Sequence, residues 1–487
     1  MDSSTEHLSD EARGAWELLL DFDARRGRLR QSLRDTLRSA IQDGRLAAGT
    51  VLPASRRLAA GLGVSRGVAS DAYDQLVSEG YLEVKPRSAP VVGAVAATTP
   101  PAPQAAVPAW RFDFTATTPD VALFPRRAWV RAMQRAWASV PDAALDYGDH
   151  RGRIELRTAL SAYLARVRGV RADPGHIVIT QGFTQALDLL CHVLVSAARR
   201  TLVMESPSHS GLWATARQSG LTLAGCPVDQ HGLLTAKLPA LGADAVVVTP
   251  AHQFPTGAVM APARRVALLE WAARTGGLVI EDDYDAEFRY DRAPVGAVQG
   301  LDPRRVAHVG TTSKTLAPGL RLGWISAPAE LVSDLQARKS AADSGSPAAD
   351  QLALASLLAS GDYEKHIVRA RHIYRRRRDL LVQALTARFP HLQVSGAAAG
   401  MQLLLPLPAH ADDIGLAEAA AARGIGISAL SPLHLARSED RGLLLGFGRL
   451  PEHKIPSAVD ALWSVLTQAG SLMPVTATRE CASSPRR

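Results

Sequence analysis

Cysteine is scarce, with three in 487 residues (Cys191, Cys226 and Cys481). Three thiols make no disulfide framework, and no Cys/His cluster has zinc spacing, so disulfide scaffolds and zinc fingers are excluded. The opening MDSSTEHLSDEARGAWE is acidic and lacks the basic-then-apolar layout of a signal peptide, so none is expected from it. Two stretches, Ser88–Trp110 and Phe389–Ala411, carry no acidic or basic side chain (His391 and His410 apart). Both are broken by proline and glycine, so neither reads as a membrane span. Internal repeats are absent. Lysine is rare, at six (Lys85, Lys237, Lys314, Lys339, Lys365, Lys454) of 55 basic residues, which leaves few candidates for lysine-dependent chemistry. What remains is ordinary globular composition, 47% hydrophobic and 21% charged. The expectation is a cytoplasmic protein with room for about two to four domains.

The net charge of +8 is informative only through its distribution. Residues 24–90 hold twelve Arg/Lys against six acids, a candidate phosphate-backbone binder, although charge alone fits a solvated surface better. The pattern within that region is more specific. Arg28–Asp43 carries Leu29, Leu33, Leu37, Ala40 and Ile41 on one helical face, and Gly44 stops it. A second helix is expected from Ser55, as N-cap, to Leu62. A third is expected from a Ser65 cap to about Ser78, with Val68, Ala72, Leu76 and Val77 inward. Tyr81–Lys85 and Ala89–Val92 read as two short strands, a wing with Lys85-Pro86-Arg87 at its tip. Ser65-Arg66 at a positive helix end suits a phosphate or a guanine edge. The stretch GRLAAGTVLPASRRLAAGLGVSR resembles the GntR-type winged helix–turn–helix. Ala54 stands where that pattern usually has serine, and RSAPVV where a Gly-rich turn is usual. Operator DNA is the implied partner, with Arg56, Ser65, Arg66, Lys85 and Arg87 as candidate contacts.

Residues 93–111, rich in Pro and Ala, read as a linker between the winged module (24–92) and a larger domain (112–472). Flanking these, 1–23 is a tail, and 473–487 is expected to be a disordered one. Within the large domain apolar runs at Ile177–Thr180, Thr201–Met204, Ala245–Thr249, Gly277–Glu281, Val306–Gly310 and Gly323–Ser326 alternate with helical patterns. That predicts an α/β fold on a mostly parallel sheet, followed by a long helix (Asp362–Arg388) and a small α+β unit.

Three motifs carry chemistry. GTTSKTLAPGLRLGW (310–324) puts Lys314 after a strand, between hydroxyls, with Arg321 seven residues on. A lysine so placed suits a Schiff base to an aldehyde cofactor, and the arginine a bidentate phosphate contact that lysine does not duplicate. Taken singly, Lys314 is a surface lysine at a strand end. LVIEDDYDAEFRY (278–290) ends an apolar strand in acids, costly unless a cation faces them. TQGFTQALDLL (180–190) is a strand–Gly–helix junction whose free N–H groups form an anion cradle.

With TPAHQFPTG (249–257) and YGDHRGRIELRTAL (147–160), these motifs resemble the fold-type I, class I aminotransferases. Joined to a GntR-type module, the chain resembles the MocR/GabR transcriptional regulators. The resemblance implies pyridoxal 5′-phosphate on Lys314, Asp282 at the pyridine nitrogen and Tyr284 at the ring oxygen. It places the phosphate among Gly182, Phe183, Thr184, Thr311, Ser313 and Arg321. It also implies a head-to-tail homodimer in which Tyr147 reaches the neighbouring subunit's site. Two departures concern the ring: Phe254 replaces the asparagine of the N-P-T-G motif, and His209 stands where a stacking tyrosine is usual. A third concerns substrate, because the run LLLGFG (443–448) is apolar where a carboxylate-clamping arginine belongs, with Arg441 and Arg449 out of register. Efficient transamination is therefore not expected. The leading reading is a regulator whose large domain senses the cofactor or an amino-acid or amine co-effector. The alternatives are a working aminotransferase with a fused DNA-binding module, and a DNA-binding protein whose large domain only dimerises.

Overall fold

The computed structural model describes residues 29–85, 88–93, 110–144, 146–290, 295–391 and 393–468. The chain divides into two compact units, residues 1–108 and 109–487.

In the first unit α1 (Leu29–Gln42), α2 (Ser55–Leu62) and α3 (Arg66–Ser78) enclose one core, and β1 (Leu82–Glu83) pairs antiparallel with β2 (Val91–Val92). Leu33, Leu37, Ala40 and Ile41 are buried on α1, as their spacing predicts. Gly63 adopts a left-handed conformation that ends α2 and turns the chain into α3. Two expectations are corrected. The cap position of α2 is Ala54, which has no side-chain cap bond, because Ser55 is already the first helical residue. Val77 is exposed: nine residues beyond Val68 it lies half a turn away from the Val68–Ala72–Leu76 face. Ser65 caps α3 as expected, its Oγ accepting from the Val68 amide at 3.4 Å. The wing strands are shorter than predicted, two residues each.

The second unit begins with β3 (Phe112–Asp113), α4 (Arg126–Ser139) and α5 (Ile154–Arg168). An α/β succession follows: β4 (Ile177–Thr180), α6 (Phe183–Ser196), β5 (Thr201–Ser206), α7 (Gly211–Gln218), β6 (Thr222–Asp229), β7 (Gly232–Leu233) and β8 (Ala245–Val248). Next come α8 (Pro262–Thr275), β9 (Leu278–Asp283), β10 (Val306–Thr311) and β11 (Gly323–Ser326). The eight strands form one sheet in the order β4-β11-β10-β9-β8-β5-β6-β7. The ladders from β10 to β6 are parallel, whereas β11 and β7 run against their neighbours. The six predicted strands are all present. β6 and β7 were not foreseen, because TLAGCPVD contains Gly225 and Pro227 and stays half-buried near the sheet edge, so it lacks an apolar run.

Three helices then lead into the small α+β part: α9 (Val332–Asp343), α10 (Ala348–Ala359) and α11 (Asp362–Arg388). It holds β12 (Gln402–Leu407), α12 (Asp413–Ala421), β13 (Ile425–Gly426), β14 (Ser428–Ala429), β15 (Arg441–Gly446) and α13 (Ile455–Gln468). β12, β15 and β14 make an antiparallel sheet, and β13 pairs with β3 from the start of the unit. Among the described residues no helix is long and apolar enough to cross a membrane, and no His/Cys/Asp/Glu group is arranged to hold a metal.

Candidate cofactor site

Sheet register builds the site. Thr180, at the end of β4, pairs with Gly323, which pairs with Thr311, while Gly310 pairs with Asp283. The Gly182 turn, Arg321, Lys314 and Asp282 are thereby gathered along the carboxyl edge of the parallel strands, where open α/β sheets bind ligands. Together they line a cavity of about 230 Å³. Of the sequence-predicted residues, Lys314, Asp282, Tyr284, Arg321, Thr311, Ser313, Phe183, Thr184 and His209 face it, and Thr117, Leu212, Phe254 and Pro318 complete the lining.

Each acid at the end of β9 has a different fate. Glu281 accepts the amides of Val298 and Gln299, both at 2.9 Å. Asp283 accepts from Arg168 Nε at 2.7 Å and contacts His308 Nε2 at 3.0 Å. Burial alone would raise the Asp283 carboxyl, but Arg168 and His308 more than offset it and hold it below the ordinary carboxylate range. Strand alternation turns Asp282 the other way, toward the cavity. Its Oδ1 is buried without a hydrogen-bond partner, and burial, reinforced by Asp283 and Asp285, pushes its carboxyl well above the usual range. An unsatisfied buried carboxyl is costly unless something outside the chain completes it.

Lys314 is lowered from its ordinary value by burial, against the pull of Asp285 and Asp282, so more of it is the neutral, nucleophilic amine. Burial raises the Tyr284 phenol, which keeps it a hydrogen donor. Its hydroxyl lies 3.0 Å from His252 Nδ1, which is 2.9 Å from Asp285 Oδ2. The Tyr284 hydroxyl therefore has a partner within the chain, a pairing the motif reading missed. His252 and Asp285 both stand inside the motifs TPAHQFPTG and DDYDAEF, and their polar character beside Phe254 and Tyr284 was the available signal. His209 is lowered by burial and then by Lys314, and its ring centroid is 5.7 Å from that of Phe254.

At the opposite end, α6 presents its first N–H groups, which have no partner within a helix. Gly182, at φ +86°, makes the turn, a conformation that favours glycine, and a Cβ there would sit a tight 3.2 Å from the Arg321 guanidinium. Arg321 donates to the Gln181 carbonyl at 2.5 Å, and the Thr311 and Ser313 hydroxyls are 2.9 Å apart. Hydroxyls, helix amides and a guanidinium thus converge on one corner, a donor set suited to a phosphate.

Tyr147 does not join its own chain's cavity. It is 79% exposed and borders a separate hollow with Gly345 and Ser346. Neither Arg441 nor Arg449 lines the cavity: Arg441 donates to the Ser438 and Asp440 carbonyls, and Arg449 lies 3.5 Å from Asp113. On β15 Leu444 packs with Leu404 and Leu430 behind Ala116 and Phe254; the three leucines do not line the cavity, and among the described residues Arg321 is the only arginine that does.

In the first unit Arg56, Ser65, Arg66 and Lys85 are all exposed, as is Arg57, while Arg87 lies outside the described residues. Other arginines there are internally paired: Arg38 with Glu79 at 2.6 Å, Arg30 with Asp71 and Arg34 with Asp35 both at 3.0 Å. No described acid pairs with Arg56, Arg57, Arg66 or Lys85, which leaves them available to an external anion.

The fold and site define an aminotransferase-like domain of class I/II, a fold that implies pyridoxal 5′-phosphate binding, on a chain that starts with a winged helix. Comparison with known proteins agrees. The family "Aminotransferase class I and II" matches residues 116–450, and "Bacterial regulatory proteins, gntR family" matches 29–92. The HTH-type pyridoxine biosynthesis transcriptional regulator PdxR of Corynebacterium glutamicum is 32% identical, covering 85% of this chain and 91% of its own. MocR of Rhizobium meliloti, named for regulation of rhizopine catabolism, is 32% identical over 93% and 97%. An archaeal alanine:glyoxylate aminotransferase of known structure superposes with a TM-score of 0.68 at 30% identity, covering 73% of this chain and 91% of that one. The chain belongs to the MocR/PdxR-type family of HTH transcriptional regulators, which join a GntR DNA-binding domain to an aminotransferase-like domain.

Proposed function

We propose that this regulator holds pyridoxal 5′-phosphate in the Lys314 cavity as its sensing group, and that occupancy there sets the affinity of the winged helix for operator DNA. The observation that carries the reading is Asp282: of three successive acids it alone has a buried oxygen without a partner, and that oxygen belongs to a cavity-lining side chain. A ring N–H set against it would satisfy the acid and return it to the ionised form. Lys314 supplies the amine for the aldehyde, and the Gly182–Phe183–Thr184 turn, Thr311, Ser313 and Arg321 hold the phosphate. His209 covers the ring, and Tyr284, braced by His252 and Asp285, keeps a protonated hydroxyl beside it. When bound, the cofactor supplies an electron-withdrawing ring and a covalent anchor at the lysine.

A cavity lining whose only arginine among the described residues is Arg321 supports a sensor that is not an efficient aminotransferase, since that guanidinium belongs to the phosphate corner and no second one meets an amino-acid carboxylate. It also favours the cofactor itself over an amino acid as effector, in keeping with the pyridoxine biosynthesis in the name of the PdxR relative. An amine without a carboxylate is the second reading the same lining permits. The working arrangement is a cytoplasmic head-to-tail homodimer, with Tyr147 serving the neighbouring site. Residues 24–92 grip DNA, 93–111 link, and 112–472 sense. Arg56, Ser65, Arg66, Lys85 and Arg87 contact the operator.

The test is the absorption spectrum of the purified protein with added pyridoxal 5′-phosphate beside a Lys314→Ala variant. A visible band that requires Lys314, accompanied by a change in operator affinity on cofactor addition, is the expected result. A band with no effect on DNA binding would reduce the cofactor to a structural group.

A further inference from the structure

Outside the cavity lies a fully buried cation, Lys339 on α9, whose side chain is 0% exposed. Its ammonium reaches Asp343 Oδ2 at 2.6 Å, Ser346 Oγ at 3.1 Å and Gln185 Oε1 at 3.3 Å. Three N–H donors have three acceptors, so the group is fixed in direction as well as in place. Val332 and Leu335 seat α9 in the same apolar core as α6, which keeps the lysine at this spot.

From Lys339 the polar contacts run two ways. Toward the cavity, Gln185 Oε1 also accepts the Gln181 amide at 2.8 Å, and Gln185 Nε2 donates to Asp343 at 2.7 Å. The Gln181 carbonyl is the one that accepts from Arg321. The turn leading into the phosphate corner is therefore gripped from both sides, by Arg321 and by the Lys339 cluster. Toward the surface, Asp343 Oδ1 accepts the Gly345 amide at 2.9 Å, and the next carbonyl back, Ser344, meets His150 Nδ1 at 3.0 Å. Ser344 sits at φ +56°, a conformation that a non-glycine residue keeps only where its surroundings hold it.

We propose that Lys339 is a positioning residue that ties the phosphate-binding turn to the 146–153 loop carrying Tyr147. The inference rests on the cofactor reading above and adds a role to it. An anion drawn against Arg321 and the α6 N-terminus loads Gln181, and Gln181 and Gln185 pass that load to Asp343. The Ser344–Ser346 loop and His150 then tighten. A shared buried charge with two rigid attachments couples two places on one unit without any large motion. It would let occupancy of one subunit's cavity register at the residue expected to serve the next.

The experiment uses the full chain and two probes, pyridoxal 5′-phosphate and pyridoxal, which differ only in the phosphate. Because Lys339→Met alone strands the Asp343 carboxylate, the variant to compare is K339M/D343N, in which the amide oxygen introduced at position 343 keeps an acceptor for Gly345. Expected is about a tenfold loss of affinity for pyridoxal 5′-phosphate, with pyridoxal affinity unchanged within about twofold. Hydrogen exchange supplies the second readout. In the wild type the phosphorylated cofactor should protect amides of 182–186 and also 344–351, whereas in K339M/D343N protection should stay at 182–186. An unchanged preference for the phosphorylated compound, or undiminished protection at 344–351 in the variant, overturns the proposal while leaving the cofactor reading intact. A wild type that takes up neither compound overturns both.

Discussion

Asp282 and Asp283 are neighbours on one strand and face two different regions. On one side of β9 Asp283 meets Arg168 and His308 and is held ionised. On the other side Asp282 meets a cavity and keeps an unpartnered oxygen. The pair divides by partner: the acid with internal partners holds the fold together, and the one with an unpartnered oxygen lines the cavity. The same division runs through the winged helix, where Arg38 is clasped by Glu79 and Asp35 while Arg66 and Arg56 point outward unpaired.

The largest effect is expected from Asp283→Asn. It strands the buried Arg168 charge, and a loss of about 3–5 kcal/mol is expected in denaturant unfolding. The pH dependence has a definite sign. Asp283 is depressed in the folded state, so its contribution is present above the unfolded value of about 4 and is lost as pH falls below it. The variant should lose that part of the acid sensitivity.

Asp282→Asn should act in the opposite sense on stability. Removing an acid whose folded pKa is raised relieves a cost that grows as pH climbs above about 4, so the cofactor-free protein should be no less stable at neutral pH. Cofactor affinity should nevertheless fall by about 2–3 kcal/mol, the scale of a charge-assisted hydrogen bond, readable as a rise in Kd in a spectral titration.

In the winged helix Arg66→Ala should cost about 1–3 kcal/mol of operator discrimination with little change in stability, checked by competition between operator and random DNA. Arg87→Ala should mainly alter the salt dependence. The smallest effect belongs to Ser65→Ala: loss of the long 3.4 Å cap bond should cost about 1 kcal/mol or less in thermal unfolding.

These contrasts were only partly legible in the sequence. α1 and α11 begin and end at or beside the residues where periodicity put them, and nine of the residues named for the cofactor do line one cavity. Motif spacing sufficed there because strand ends and the turns after them are local. Which of three consecutive acids lacks a partner was not legible. It depends on Arg168 arriving from α5, His308 from β10 and the amides of Val298 and Gln299 from a distant loop. Tyr284's engagement with His252, and the Lys339 cluster, likewise need two elements to meet before either partner is visible. Ser55 and Val77 were misplaced for a simpler reason, a shift of one residue in helix phase.

The most direct test is equilibrium unfolding of the wild type and Asp282→Asn, each with and without pyridoxal 5′-phosphate. Expected is a cofactor-free variant at least as stable as the wild type but stabilised far less by the cofactor, since only a ligand that binds the folded state raises its stability. A variant that is less stable alone and gains as much from the cofactor as the wild type would show that Asp282 serves the fold and not the cofactor.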